Sequence, residues 1–440
     1  MRSFRLALIA MAVNAAFAAS ARADNLVALY DAARAIDPTY QSAKALYEAN
    51  LSKSEQAKAG ILPTANFLAG TARTSFDNTN PEFGNDFNAN NASIQASQPL
   101  YRPANWAAYE QGKRLVDIAT AQLTLAEQDL VLRVTQAYFD VLAASDSLTF
   151  VRAQKVAVAE QLASAKRNFE VGTSTVTDSR EAQARYDLVV AQEIAAENDL
   201  RVKKLALDQL VGRPNTQPNP LVSQAALPQL NPSDLPGMVS TAEVTHPGVQ
   251  QAVVNLDVAR LETQKAKAGH KPTLDLTASH TQAFNPQGSI AGLLHTHTRN
   301  TTVGLTLTLP LFSGFATQNR IKETLSLEDK AQADLDATRL VVAQATRAAF
   351  YGVVSGVGQV KALEAAEASS QSALDANRMG YQVGVRINID VLNSQSQLFQ
   401  TKRDLAKARY DVLVGSLKLR QANGTLTPQD LQSVNSLIAP

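Results

Sequence analysis

The chain repeats itself at a fixed offset. Phe169-Glu-Val-Gly-Thr-Ser-Thr-Val-Thr-Asp178 breaks one long helical pattern, and Tyr381-Gln-Val-Gly-Val-Arg-Ile-Asn-Ile-Asp390 breaks a second. Gly172 and Gly384 lie 212 residues apart, and so do Asp178 and Asp390. In each break the glycine offers positive φ, and the aspartate offers a cap for the helix that resumes. A chain of 440 residues would ordinarily suggest two or three domains. Two matched helical hairpins instead place both halves in one architecture.

The flanks carry the same offset. Asn25 to Lys58 reads as a helix interrupted near Asp37-Pro38, and its counterpart runs from Ser233 to Lys267 with His246-Pro247 at the matching place. Ala57-Lys-Ala-Gly60 recurs as Ala266-Lys-Ala-Gly269, each followed by a proline, Pro63 or Pro272. Glycine closes a helix there and proline prevents its continuation.

The period then switches to two. Thr302-Val-Gly-Leu-Thr-Leu-Thr-Leu309 alternates cleanly, Thr273-Leu-Asp-Leu-Thr-Ala-Ser279 and Ala92-Ser-Ile-Gln-Ala-Ser97 do so too, and Ala65 to Arg73 keeps a weaker version. Such segments suit the strands of an outer-membrane barrel, and they suit a soluble antiparallel sheet equally. Asp77 to Asn91 and roughly Asn285 to Arg299 read as polar loops between them. His295-Thr-His297 in the second loop has no further ligands nearby, so a metal is not expected.

After corners at Pro99-Leu-Tyr101 and Pro310-Leu-Phe312, long helices follow. Leu130, Val134, Ala137, Val141, Ala144, Leu148 and Val151 alternate spacings of four and three. Shifted by 212, the second half gives Val342, Thr346, Ala349, Val353, Gly356, Val360 and Leu363, and Leu398, Leu405, Val412 and Leu419 continue a heptad beyond the second turn. These are coiled-coil seams with small residues that allow close packing. Ala104 to Asn168 covers 65 residues, which as one helix would reach about 100 Å. Globular enzymes rarely need such a rod.

The expected division is a signal peptide over 1–23, a first repeat over 24–212, a proline-rich strap over 213–236, a second repeat over 237–424 and a tail over 425–440. Arg2, Arg5, the apolar stretch from Leu6 to Ala19 and Ala21-Arg22-Ala23 fit a cleaved secretory signal. Its apolar run of roughly 14 residues falls short of a span. Losing its three arginines takes the net charge from +1 to −2, which gives no polybasic surface for nucleic acid. Absence of cysteine removes disulfides, thiolate metal sites and a lipid-modified N-terminal cysteine. Beyond the signal no apolar run of spanning-helix length is evident, so any membrane crossing falls to strands. Four strands cannot close a barrel, and an open edge in lipid would leave backbone groups unpaired. Two chains would supply eight strands and three would supply twelve; spacing alone does not choose.

These residues carry a family likeness. The chain resembles the TolC family of outer-membrane efflux and secretion channels along essentially its whole mature length. The most specific stretch is Tyr381 to Asn393, continuing through Lys402-Arg-Asp-Leu-Ala-Lys-Ala-Arg-Tyr410 to Asn423-Gly-Thr-Leu-Thr-Pro-Gln-Asp-Leu431. Phe169 to Asp178, followed by Ala182-Gln-Ala-Arg-Tyr-Asp187, looks like the family's first turn. The resemblance implies a mixed all-α plus β-barrel fold. Long coiled-coil hairpins and four membrane strands per chain would form a trimeric 12-stranded barrel in outer-membrane lipid, with an α-helical tunnel in the periplasm. It implies a homotrimer that docks a periplasmic adaptor (membrane fusion) protein and an inner-membrane transporter. Such a channel serves as the passive outer-membrane exit duct of tripartite efflux or type I secretion, exporting drugs, small toxic compounds or proteins.

By the same resemblance the turns close the periplasmic end. Tyr381 and Arg386 would be tethers, Asp178 and Thr177 their acceptors, Asp390 and Asn393 the constriction, and Gly172 and Gly384 the hinges. An Arg–carboxylate link is a strong hydrogen bond, yet one hydrated pair is worth only about 1 kcal/mol, so several weak links make a gate that a partner can open. Where the family's namesake has a second aspartate one helical turn after the first, this sequence has Asn393. One carboxylate ring then implies weaker cation selectivity and weaker block by multivalent cations. The residues also allow plainer roles. Thr177-Asp178 with Glu181 resembles a capping box, Asp390 could be a cap, and Tyr381 could simply pack between helices. Arg386 has no comparable local explanation.

A periplasmic coiled-coil adaptor or scaffold would explain the rods but not the paired alternating strands. No catalytic spacing, phosphate-cradling loop or metal cluster points to an enzyme, and no cofactor is called for. The missing cysteine leans towards the non-lipidated, secretion-capable branch of the family.

Overall fold

The structure, a computed structural model, describes residues 25–79, 82–222, 228, 230–231, 234–285 and 296–439. The expected signal peptide lies outside the described residues, as do His295 and much of the strap between 223 and 233.

The elements follow in the order α1 (Leu26–Ile36), α2 (Pro38–Ala59), β1 (Thr64–Thr79), β2 (Glu82–Tyr101), α3 (Pro103–Glu170) and α4 (Val176–Val211). The same order returns as α5 (Leu235–Thr245), α6 (Pro247–Ala268), β3 (Thr273–Asn285), β4 (Thr296–Thr308), α7 (Ala316–Gln382) and α8 (Asn388–Ala422), before a short α9 (Asp430–Asn435). The breaks expected at Asp37-Pro38 and His246-Pro247 separate α1 from α2 and α5 from α6. Proline begins the next helix each time, where its missing N–H costs nothing. The chain divides into two compact units.

One unit comprises Lys44–Gln122 and Gln250–Thr338. It contains an antiparallel sheet in the order β1-β2-β3-β4, so the two halves of the chain meet where β2 pairs with β3. The register sorts side chains by chemistry. Ala65, Ala96, Ala278 and Val303 form one row across the sheet, and Tyr101, Leu274 and Leu307 form another. Phe67, Ile94, Leu276 and Leu305 share that face and are exposed, Leu305 by 65%. The opposite face carries Asn66, Gln95, Ser279 and Thr302 in one row and Ser97 with Thr277 in the next, with Leu68, Phe87 and Ala283 among its apolar exceptions. A sheet with its apolar face outward is built for an apolar surrounding. β1 and β4 each keep one unpaired edge among the described residues.

Two loop expectations are corrected. The Asp77–Asn91 stretch is paired backbone almost throughout, with Asp77 opposite Gly84 and Thr79 opposite Glu82. The second stretch yields Asn285 to β3 and Thr296–Arg299 to β4. Asparagine and glycine disfavour strands, but a hairpin already in register extends by adding ladder hydrogen bonds, and this local gain overrides propensity. His297 packs edge-on against Phe284. Near the start of β3, Arg102 grips buried Asp275 with two hydrogen bonds of 2.8 and 2.6 Å. Arg320 and Gln111 both donate to Glu262, at 2.7 and 2.9 Å.

The other unit is helical and takes in α1, Leu123–Val249 and the chain from Arg339 onward. Leu26, Leu29, Tyr30 and Ala33, one face of α1, are buried with Leu130, Val134 and Tyr138 of α3, Leu207 of α4, Leu413 and Leu417 of α8, and Leu431 of α9. Asp37 sits buried behind α1, where the Arg133 fork donates at 2.8 and 3.0 Å and Tyr40 N–H at 2.8 Å. The Arg133 hydrogen bonds, joined by backbone N–H groups, hold its carboxyl below the usual range against the opposing effect of burial. The first described part of the strap is fastened, with Leu221 bridging Ile438 and Tyr138 donating to the Asn219 carbonyl at 2.8 Å.

The seams pack as the heptads require. Leu130, Val134, Val141, Ala144, Leu148 and Val151 are buried on α3, and Val342, Thr346, Val353 and Val360 on α7. Thr346 is accommodated by donating to the Ala422 carbonyl at 2.9 Å. One expectation about α7 changes: it includes an 18-residue window of mean hydropathy 1.3, long and apolar enough to cross a membrane by composition. Alanine, glycine and valine spread over all its faces raise the average without forming an obvious run, and Leu340, Val341 and Tyr351 stay exposed.

Candidate functional site at the helical turns

The site is the pair of breaks at residues 170–178 and 382–390. Gly172 has φ +80° and Gly384 φ +79°, left-handed values that a side chain resists. Thr173 N–H donates back to Asn168 at 2.8 Å, and Val385 N–H to Gly380 at 2.9 Å, so each glycine ends its helix with the carbonyls satisfied.

The first turn is locked by its own side chains. Thr175 is the N-cap of α4: its hydroxyl accepts from Asp178 N–H at 3.2 Å, while the Asp178 carboxylate accepts from Thr175 N–H at 3.0 Å and from the Thr175 and Ser174 hydroxyls at 2.8 Å. This capping box pairs Thr175 with Asp178, three residues earlier than the Asp178–Glu181 pairing expected from Thr177, Asp178 and Glu181. The helix begins at Val176, so Thr177 already lies inside the first turn and points out exposed. Burial pushes the Asp178 carboxyl up, but hydrogen bonds from Ser174 and Thr175 outweigh it and leave it below the usual range.

The second turn is looser. Ile387 holds the N-cap position of α8 without a side-chain hydrogen bond, so Asp390 is a first-turn residue and not the cap. Its carboxylate faces Arg386 at 3.7 Å, and that guanidinium is 58% exposed. An exposed pair of this length is worth under about 1 kcal/mol. Giving up this pair would therefore cost Arg386 little.

Polar contacts join the two turns. Asn388, 1% exposed, accepts from Gln161 and donates to the Asp178 carbonyl at 3.3 Å. Asn168 donates to the Tyr381 hydroxyl at 3.2 Å, and Arg185 to Asn393 Oδ1 at 2.8 Å. Leu392 sits beneath, buried with Val158, Leu162, Ala165 and Val189. Within one chain, then, Tyr381 reaches Asn168 and not Asp178, Arg386 reaches Asp390, and the Asp178 carboxylate is engaged by its own turn. Asn388, Gln161, Asn168 and Arg185 were missed by sequence reasoning. Asn388 could have been suspected as a polar residue on the same helical face as Val391, Leu392 and Gln395.

Comparison with known proteins places the chain in a family. The family described as "Outer membrane efflux protein" matches residues 5–213 and 238–425. The chain is 32% identical to the outer membrane protein TolC of Vibrio cholerae serotype O1 over 414 residues, 94% of each chain. The chain belongs to the outer membrane efflux protein family. It is also 29% identical to the proteases secretion protein PrtF of Dickeya chrysanthemi over 98% of this chain and 94% of that one. The crystal structure of the outer membrane protein VceC from Vibrio cholerae superposes with a TM-score of 0.78 over 91% of this chain and 96% of that one, at 17% identity. As a member of this efflux family the chain is an outer-membrane exit duct for efflux or type I secretion, seated in the outer membrane and reaching into the periplasm. The periplasmic adaptor reading is not favoured, and the relatives are channel proteins rather than enzymes.

Proposed function

We propose that the chain works as a homotrimer whose three four-stranded sheets close one 12-stranded barrel, continued by an α-helical tunnel that shuts at the paired turns. The observation that carries this reading is the sheet itself. Its apolar face runs in register across all four strands while β1 and β4 keep open edges. Open edges in hydrocarbon cost several kcal/mol per unpaired group, so further copies must complete the sheet. The exposed Leu340, Val341 and Tyr351 on α7 suit burial against another copy. On the same reading residues 24–212 and 237–424 are two structural repeats joined by the 213–236 strap.

On this reading the duct is passive, and an adaptor protein and an inner-membrane transporter would bring drugs, small toxic compounds or proteins to it. At the closed end Tyr381 and Arg386 tether, Asp178 and Thr177 accept from neighbouring chains, and Asp390 and Asn393 line the constriction. Arg386 suits this role because, among the described residues, its guanidinium pairs with Asp390 alone, and at 3.7 Å. Arg185 beside Asn393 adds positive charge where a second carboxylate ring would otherwise stand. Divalent and trivalent cations should therefore block wild type more weakly than Asn393→Asp in lipid bilayers; equal block contradicts the one-ring account. Native mass spectrometry of the detergent-solubilised protein tests the assembly: a mass of three chains is expected, and a stable dimer or monomer overturns it.

A further inference from the structure

Beyond the turns, a cleft of about 390 Å³ opens between α4 and α8. Arg185 reaches it from α4 and Arg403 from α8. Each guanidinium donates to a neutral amide, Arg185 to Asn393 at 2.8 Å and Arg403 to Gln400 at 2.6 Å. Among the described residues neither has a carboxylate within ion-pair distance. The contrast is local, because Arg152 on α3 meets Glu193 and Glu197, and Arg409 on α8 meets Glu364. A guanidinium has five N–H donors, so one amide leaves most of each fork uncommitted. Burial pushes Arg403 below its ordinary value, opposed only by the charge of Asp404.

The cleft lining also holds unmet acceptors. Oε1 of Gln154, a residue 3% exposed, and Oε1 of Gln192 are shut off from solvent without a hydrogen-bond partner, and so is the Ser396 hydroxyl oxygen. Buried polar atoms of this kind are rare and call for a ligand or water. Uncommitted cationic donors in the cleft select an anionic solute, and the orphaned acceptors on its lining residues, once their side chains turn towards it, favour one that also carries a proton to donate.

We propose that this cleft is a binding site for a small oxyanion bearing its own hydrogen-bond donor, of the hydrogen phosphate type, held by Arg185 and Arg403 and donating to the glutamine oxygens. The ligand would bridge α4 of the first hairpin and α8 of the second. The cleft shares Arg185 and Asn393 with the proposed constriction, but its readout is anion binding rather than conductance, so the two readings fail separately.

Isothermal titration of the assembled, detergent-solubilised protein near neutral pH, with inorganic phosphate and then sulfate as probes, decides it. Sulfate matches phosphate in size and charge but brings no proton. Saturable binding of phosphate is expected, with sulfate about tenfold weaker or more. One charge-assisted hydrogen bond corresponds to roughly 10- to 100-fold, so Arg403→Gln and Arg185→Gln should each weaken phosphate by at least about tenfold. Arg409→Gln, outside the cleft, should bind as wild type does. Gln154→Met should narrow the gap between phosphate and sulfate. No saturable phosphate binding by wild type, or binding unchanged in both cleft arginine variants, overturns the site; equal binding of the two anions overturns the donor requirement.

Discussion

At the scale of residues, the turns are held by a few polar contacts of unequal strength. The Thr175–Asp178 box satisfies two otherwise unpaired N–H groups, whereas Thr177 has no such task. Thr175→Ala should therefore destabilise the tip by about 1 kcal/mol, and Thr177→Ala should change it by a few tenths at most. Hydrogen exchange at the first turn of α4 measures this, and the reverse order would contradict the assigned register. Because the Asp178 carboxyl lies below its ordinary range, its contribution is fully present above about pH 4 and is lost as pH falls through the native value. The cap was nearly legible: a threonine followed three residues later by an acid occurs at Thr175, and reading it required only the helix start at Val176. Asn388 was less legible, since nothing local reveals that its partners stand on α3 and α4.

At the scale of elements, period decided almost everything. The seams predicted on α3 and α7 are buried because a four-three spacing leaves no other face for them. Strand existence was legible from alternation, but strand length was not. Alternation marks only the apolar band, while the ladder continues into Asn- and Gly-rich backbone where no side-chain pattern survives. Close approach at the second seam can be tested. A Cβ at Gly356 would stand 2.8 Å from Val412 Cγ2, so Gly356→Val should cost about 1–3 kcal/mol by overpacking. Urea unfolding of that variant should recover part of the loss when combined with Val412→Ala, and strictly additive losses would show that the two residues do not meet.

At the scale of the whole molecule, the sheet tells which surface meets lipid. Leu305 and Thr306 are neighbours on opposite faces of β4. Leu305→Arg should impair outer-membrane assembly, at a cost of about 2–4 kcal/mol for a midplane arginine, while Thr306→Arg should assemble normally. Fractionation of cells expressing each variant reads the difference, and equal assembly would contradict the orientation. Chain number was out of reach of the sequence pattern, because two open edges say only that more copies are needed. The matched turns at Gly172 and Gly384 were visible from their spacing, and on the proposed reading they form the closable end.

The most direct test of a duct closed by weak links at those turns is single-channel conductance in planar bilayers, comparing wild type with Arg386→Ser and Tyr381→Phe. The account predicts small, infrequent openings in wild type and a large rise in conductance when either side chain loses its polar contacts. Unchanged low conductance in both variants, with the assembly intact, would contradict closure at the turns.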